Sequence, residues 1–135
     1  MADLLQLTPL ALHLTGSTLF LQDIKTVVNV SAYDQIDLRY YLYTLENPGE
    51  AVFTLLTAMT NEENDDWEPM GSITLPPMSG STPTSKSMTF PRVVLATMTE
   101  APTPLMRYIR WQIELTSGAT AATIQLTGLA RQKAL

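Results

Sequence analysis

His13 is the only imidazole in the chain and cysteine is absent, so thiolate chemistry is excluded and any Ser/His/Asp triad would have to run through this one residue. It lies between Leu12 and Leu14, and no Gly-x-Ser-x-Gly elbow exists to present a serine to it. A surface or interfacial histidine is the expectation. Carboxylates are more plentiful. Asp34, Asp37, Asp65, Asp66 and Glu68 could in principle pair for glycoside hydrolysis, but no spacing singles out a pair. The run Asn61 to Asp66 offers the oxygens that Ca²⁺ prefers, yet it lacks the EF-hand spacing and the glycine at its sixth position, so a solvated turn is expected there. Trp67 follows this turn and either packs beneath it or stands out as a platform for a sugar ring, with the structural role favoured. These residues lead to a protein with no catalytic residue, no metal ligands and no cofactor, and so to a binding or structural protein rather than an enzyme.

The run Ile36 to Leu45 is more unusual. Ile36, Leu38, Tyr40 and Leu42 alternate on one face, as in a strand. The other face changes from Asp37 and Arg39 to Tyr41, Tyr43 and Leu45, so half of the strand is apolar on both sides and must be covered. The cover is either the chain's own leader or a long loop, or it is a neighbouring subunit, whose contacts are enriched in Tyr, Met and Arg. Tyr41, Tyr43 and Leu45, with Leu10 and Leu12 of the leader, are therefore the candidate interface. Six of the seven methionines lie between Met59 and Met106, where their adaptable side chains suit irregular core or a partner surface.

The elements that must position these residues are strands. The run Met106 to Leu115 places Ile109, Trp111, Ile113 and Leu115 on one face and Tyr108, Arg110, Gln112 and Glu114 on the other. Ala122 to Arg131 alternates in the same way beyond a Ser117-Gly118 turn, so the two are expected as a hairpin. Glu46-Asn47-Pro48-Gly49 is a strong turn, expected to join Ile36 to Leu45 with Glu50 to Met59 as a second hairpin. Ser17 to Gln22 and Thr26 to Ser31 suggest a third. Pro91 confines the strand Met88 to Ala96 to an edge or a bulge, because proline donates no ladder hydrogen bond. The stretches 76–87 and 99–104 are too rich in Pro, Ser, Thr and Gly for anything but loops. No segment sustains a helical period. The expected fold is all-β, a single antiparallel sandwich of jelly-roll type with about eight strands. It is preceded by residues 1–15 as an amino-terminal arm or first strand, with the sandwich spanning 16–135.

Bulk properties narrow the partners. A chain of 135 residues is one ordinary domain. Its net charge of -5 and scattered basic residues argue against a nucleic-acid surface. The first residues lack a basic region and a continuous apolar run, so neither a Sec signal nor a membrane span is expected. Charged residues make up 16%, below the usual share of about 25%. That paucity suits strands and a surface covered by neighbours.

Five segments carry a resemblance: Val30 to Leu38, the Thr-rich run Phe53 to Thr60, Trp67-Glu68-Pro69-Met70-Gly71, Arg107-Tyr108-Ile109-Arg110-Trp111, and Ile124 to Arg131. Together they resemble small jelly-roll capsid decoration (cement) proteins of tailed bacteriophages. The resemblance implies a homotrimer without an active site, which binds the major capsid protein on the outside of a phage head and is assembled in the host cytoplasm. A neck or tail position would use the same kind of sandwich. Arg107-Tyr108-Ile109-Arg110 also resembles the penultimate strand of discoidin-like domains, which implies the alternative of a carbohydrate-binding jelly-roll module, although the cysteine pair of many such domains is absent.

Overall fold

β-Branched and aromatic residues alternate with polar ones along most of the chain, and the computed structural model of the protein turns that pattern into strands. The structure describes residues 2–9, 11–46, 49–74, 84–91 and 105–132. In chain order the strands are β1 (Ala2–Gln6), β2 (Leu12–Thr15), β3 (Leu19–Leu21), β4 (Val28–Asn29) and β5 (Tyr33–Glu46), followed by β6 (Glu50–Ala58), β7 (Glu68–Thr74), β8 (Thr84–Pro91), β9 (Tyr108–Thr116) and β10 (Ala121–Gln132). A short 3-10 turn, Ile24–Thr26, separates β3 from β4. One antiparallel sheet holds β10, β5 and β8 with β1 and β2 along the free side of β10; the other holds β9, β6 and β7 with β3 and β4 along the free side of β9.

Each of these paired segments is a single edge strand with a gap. Along β10 the gap follows Gln6, and Pro9, which has no N–H, helps keep the chain out of the ladder. The backbone N–H of Leu7 donates to the Leu126 carbonyl at 3.1 Å, and the Leu126 N–H donates to the Thr8 hydroxyl at 3.0 Å. Along β9 the N–H of Gln22 donates to the Trp111 carbonyl at 3.0 Å, and the Trp111 N–H donates to the Gln22 side-chain oxygen at 3.1 Å. In both gaps a polar side chain stands in for a backbone carbonyl as the acceptor of a buried backbone donor. With each broken edge taken as one strand, the pairing nests: first with last, second with seventh, third with sixth, fourth with fifth. That is the jelly-roll arrangement expected from the sequence.

Three expected hairpins are not ladders. β5 and β6 lie in opposite sheets, as do β9 and β10, and β3 and β4 both pair with β9 rather than with each other. The turns were legible, but a turn reverses the chain equally well within a sheet or across the sandwich. Crossing sets the inward row of β5 (Ile36, Leu38, Tyr40, Leu42) face to face with that of β6 (Ala51, Phe53, Leu55), and all of these side chains are buried. The Tyr40 and Phe53 rings meet there with centroids 5.6 Å apart. Both crossing turns lie at the same end. A Cβ on Gly49 would stand 2.4 Å from the Thr116 carbonyl oxygen, so only glycine fits where they touch. Ser117 and Gly118 take positive φ values of 57° and 95°.

The core also holds Trp111 with Ile109, Ile113, Ile124 and Leu126, on the face that alternation assigned to them. The Trp111 indole N–H donates to the Leu7 carbonyl at 3.0 Å. Residues 2–6 and 12–15 are ladder strands, Leu7 and Leu14 are buried, and Leu12 packs against the core instead of standing free for a partner. Leu10 lies outside the described residues. β8 is the outer strand of its sheet, where Pro91 is tolerated.

Candidate functional site

Tyr41 and Tyr43 come together on the outer face of the first sheet. Between Thr44, opposite Thr123, and Leu42, opposite Ile124, β5 carries one residue more than β10. Tyr43 is that residue. Such a bulge changes which residues share a face. Tyr41 and Tyr43 both project outward, their rings near parallel at 6° with centroids 5.9 Å apart. Beyond the bulge Leu45 turns inward opposite buried Ala122 and packs on the core, which corrects the expectation that it shares a face with the tyrosines. Of the five expected interface residues, then, the structure brings Tyr41 and Tyr43 together and places Leu45 and Leu12 against the core.

The register surrounds the two rings with polar groups from distant parts of the chain. Gln125 on β10 lies opposite Tyr41, and its side-chain oxygen accepts the Tyr43 hydroxyl proton at 2.5 Å. Arg39, two residues back along β5, holds its guanidinium carbon 5.9 Å from the Tyr41 ring centroid. Two residues further back, Asp37 accepts from Thr89 at 2.7 Å and pairs with Arg131 at 3.3 Å. An open groove of about 280 Å³ runs beside Tyr41 over Arg39, Ser87, Thr127 and Leu129, with Leu4 at its far wall. Sequence reasoning named the two tyrosines but missed Arg39, Ser87, Gln125 and Thr127. Their only signal was an outward position on a strand, and nothing local says which strands lie side by side.

The second sheet presents a different surface. Arg110, expected on a wet face, is buried beneath the acidic loop. Its Nε donates to the Gln22 carbonyl at 2.7 Å, Nη2 reaches both Glu63 carboxylate oxygens at 3.1 and 3.2 Å, and the guanidinium lies 5.7 Å from the Trp67 ring centroid. The Trp67 indole N–H donates to the Glu62 carbonyl at 2.9 Å. Asp65 closes the loop by accepting the hydroxyl of Thr60, the backbone N–H of Asp66 and the backbone N–H of Thr60, and these bonds hold its carboxyl below the usual range. A groove of about 530 Å³ lies over this cluster, but the Trp67 indole N–H and the Arg110 Nε and Nη2 donors already have partners inside the protein. Among the described residues no group of three or more His, Asp or Glu is placed to hold a metal ion. His13 sits on β2 at the surface, its Nδ1 2.9 Å from the Thr123 hydroxyl. That hydroxyl is its partner among the described contacts, and no carboxylate is among them to orient the ring.

No family model and no curated protein sequence matches the chain. Among solved structures, one described as "CBM4 structure and function", a carbohydrate-binding module, aligns over 93% of this chain and 73% of its own, with a TM-score of 0.55 and 13% sequence identity. At that identity the likeness is one of fold: both are antiparallel β-sandwiches.

Proposed function

We propose that this protein is a non-catalytic binding module that takes a carbohydrate on the outer face of its first sheet, with Tyr41 and Tyr43 as the platform. The observation that carries this reading is the near-parallel tyrosine pair on an open sheet face, 5.9 Å between centroids, set among Gln125, Arg39 and Asp37. Ring faces bind the apolar C–H faces of sugars, and a few placed polar groups then select hydroxyl patterns. The fold likeness to a carbohydrate-binding module supports it. A glycan array followed by calorimetry tests it. Tyr41→Ala and Tyr43→Ala should each weaken the best ligand by about tenfold or more, with an unchanged circular dichroism spectrum. A wild-type protein that retains no oligosaccharide on the array would overturn the reading.

A second reading is favoured by a different observation. Leu4 and Leu129 are paired neighbours on the first sheet, 77% and 38% exposed, and Leu19 and Leu21 on the second sheet are 49% and 43% exposed. Large apolar side chains left open on both faces suit a protein that is covered in an assembly. In this reading the protein is a virion component, a trimer on the outside of a phage head in contact with the major capsid protein. Co-sedimentation with empty phage capsids tests it, and a protein left wholly in the supernatant would overturn it. The two readings are compatible if sugar and capsid use different faces.

A further inference from the structure

The proposed carbohydrate face contains a row of donors with no hydrogen-bond acceptor among the described residues. Sheet pairing sets Arg39 between Ser87 on β8 and Thr127 on β10. Among the described residues Arg39 makes no ion pair, and neither the Ser87 nor the Thr127 hydroxyl makes a hydrogen bond. The nearest carboxylate along the strand, Asp37, is occupied by Thr89 at 2.7 Å, by the Gln35 amide at 3.3 Å and by Arg131 at 3.3 Å. The small side chains of Ser87 and Thr127 leave open the groove of about 280 Å³ that Tyr41 bounds on one side and Leu129 and Leu4 on the other. In a chain with a net charge of -5, this patch carries two arginines against one carboxylate.

We infer that the ligand of this face is an acidic glycan, whose uronate carboxylate is received by Arg39 with Ser87 and Thr127 while its ring lies in the groove between Tyr41 and Leu129. This rests on the carbohydrate reading above. A neutral sugar hydroxyl can accept from Arg39, but a carboxylate accepts two parallel N–H bonds from the planar guanidinium and still has lone pairs for two hydroxyl donors. Stacking on Tyr41 orients that fork and leaves its outer N–H groups free. Residues two apart on a strand are separated by about 7 Å, close enough for a carboxylate projecting from a ring beside Tyr41 to meet the guanidinium.

The test is calorimetry with oligomers of galacturonate, glucuronate and mannuronate, each beside its carboxyl-reduced neutral form, and with a sulfated oligosaccharide. At least one uronate oligomer should bind about tenfold or more tighter than its reduced form, as a charge-assisted contact implies, and added salt should shrink the difference. Arg39→Gln should remove that preference while leaving the circular dichroism spectrum and the melting temperature unchanged. Ser87→Ala should lower it partway. Equal binding of every acidic and reduced pair, an Arg39→Gln variant that keeps the preference, or a stronger response to sulfate than to any uronate would each overturn the acidic-glycan assignment and leave the carbohydrate reading standing. Failure to bind any oligosaccharide, acidic or neutral, would overturn both.

Discussion

Alternation along a strand reports which side chains face the core, but not what lies over the other side. Tyr40 and Trp111 were legible in this way, and each uses its polar atom inside the sandwich, the Tyr40 hydroxyl donating to the Ala51 carbonyl at 2.9 Å. Arg110 was not legible, because the loop that covers it is distant in sequence. Leu45 was not, because a bulge at Tyr43 leaves no mark in composition. Tyr40 also gives a pH prediction. Its burial disfavours the phenolate and pushes its pKa well above the ordinary value, which is about 10. The folded state therefore keeps its proton after the unfolded chain has lost its own. That contribution to stability is complete below about pH 10 and is lost as pH rises above it toward the folded-state pKa. Tyr40→Phe should cost about 1 kcal/mol at neutral pH through the lost hydrogen bond, and should flatten the alkaline decline in melting temperature relative to wild type. Equal alkaline slopes in the two proteins would show that Tyr40 is not the group responsible.

Turn residues announced where the chain reverses, and strand patterns announced where it extends. Neither announced partners, because β5 and β6 satisfy their alternation as well across the sandwich as side by side. The two interrupted edges are the clearest case. Leu7 and Thr8 do more than extend a leader: they close the gap between β1 and β2, accept the Trp111 indole and Leu126 backbone donors, and bury Leu7 in the core. Removing residues 2–8 should therefore leave two buried donors unpaired, at about 1–3 kcal/mol each, and expose the edge of β10 to pairing with other chains. The truncated protein should melt far below the full chain or precipitate. A truncated protein with an unchanged melting temperature would show that the amino-terminal segment is a dispensable arm.

Across the whole molecule the two outer faces differ in character. The first sheet carries the tyrosine pair and Arg39; the second carries the acidic loop clamped by Arg110, with Leu19 and Leu21 on its broken edge strand. Any assembly that used Leu4 and Leu129 would lie against the groove beside Tyr41, since both leucines line it. A protein that binds sugar while joined to its own copies must keep that groove open, so in a protein that does both, the second face is the one left for self-association. Light scattering at micromolar concentration should then show a species larger than a monomer, with a trimer expected. The double substitution Leu19→Asp and Leu21→Asp should convert it to monomer, because charges at exposed leucines oppose burial in an interface without touching the core. Oligosaccharide affinity should be unchanged in that variant. A wild-type monomer would remove the oligomer from both readings, and a double variant that stays associated would move the contact to another surface.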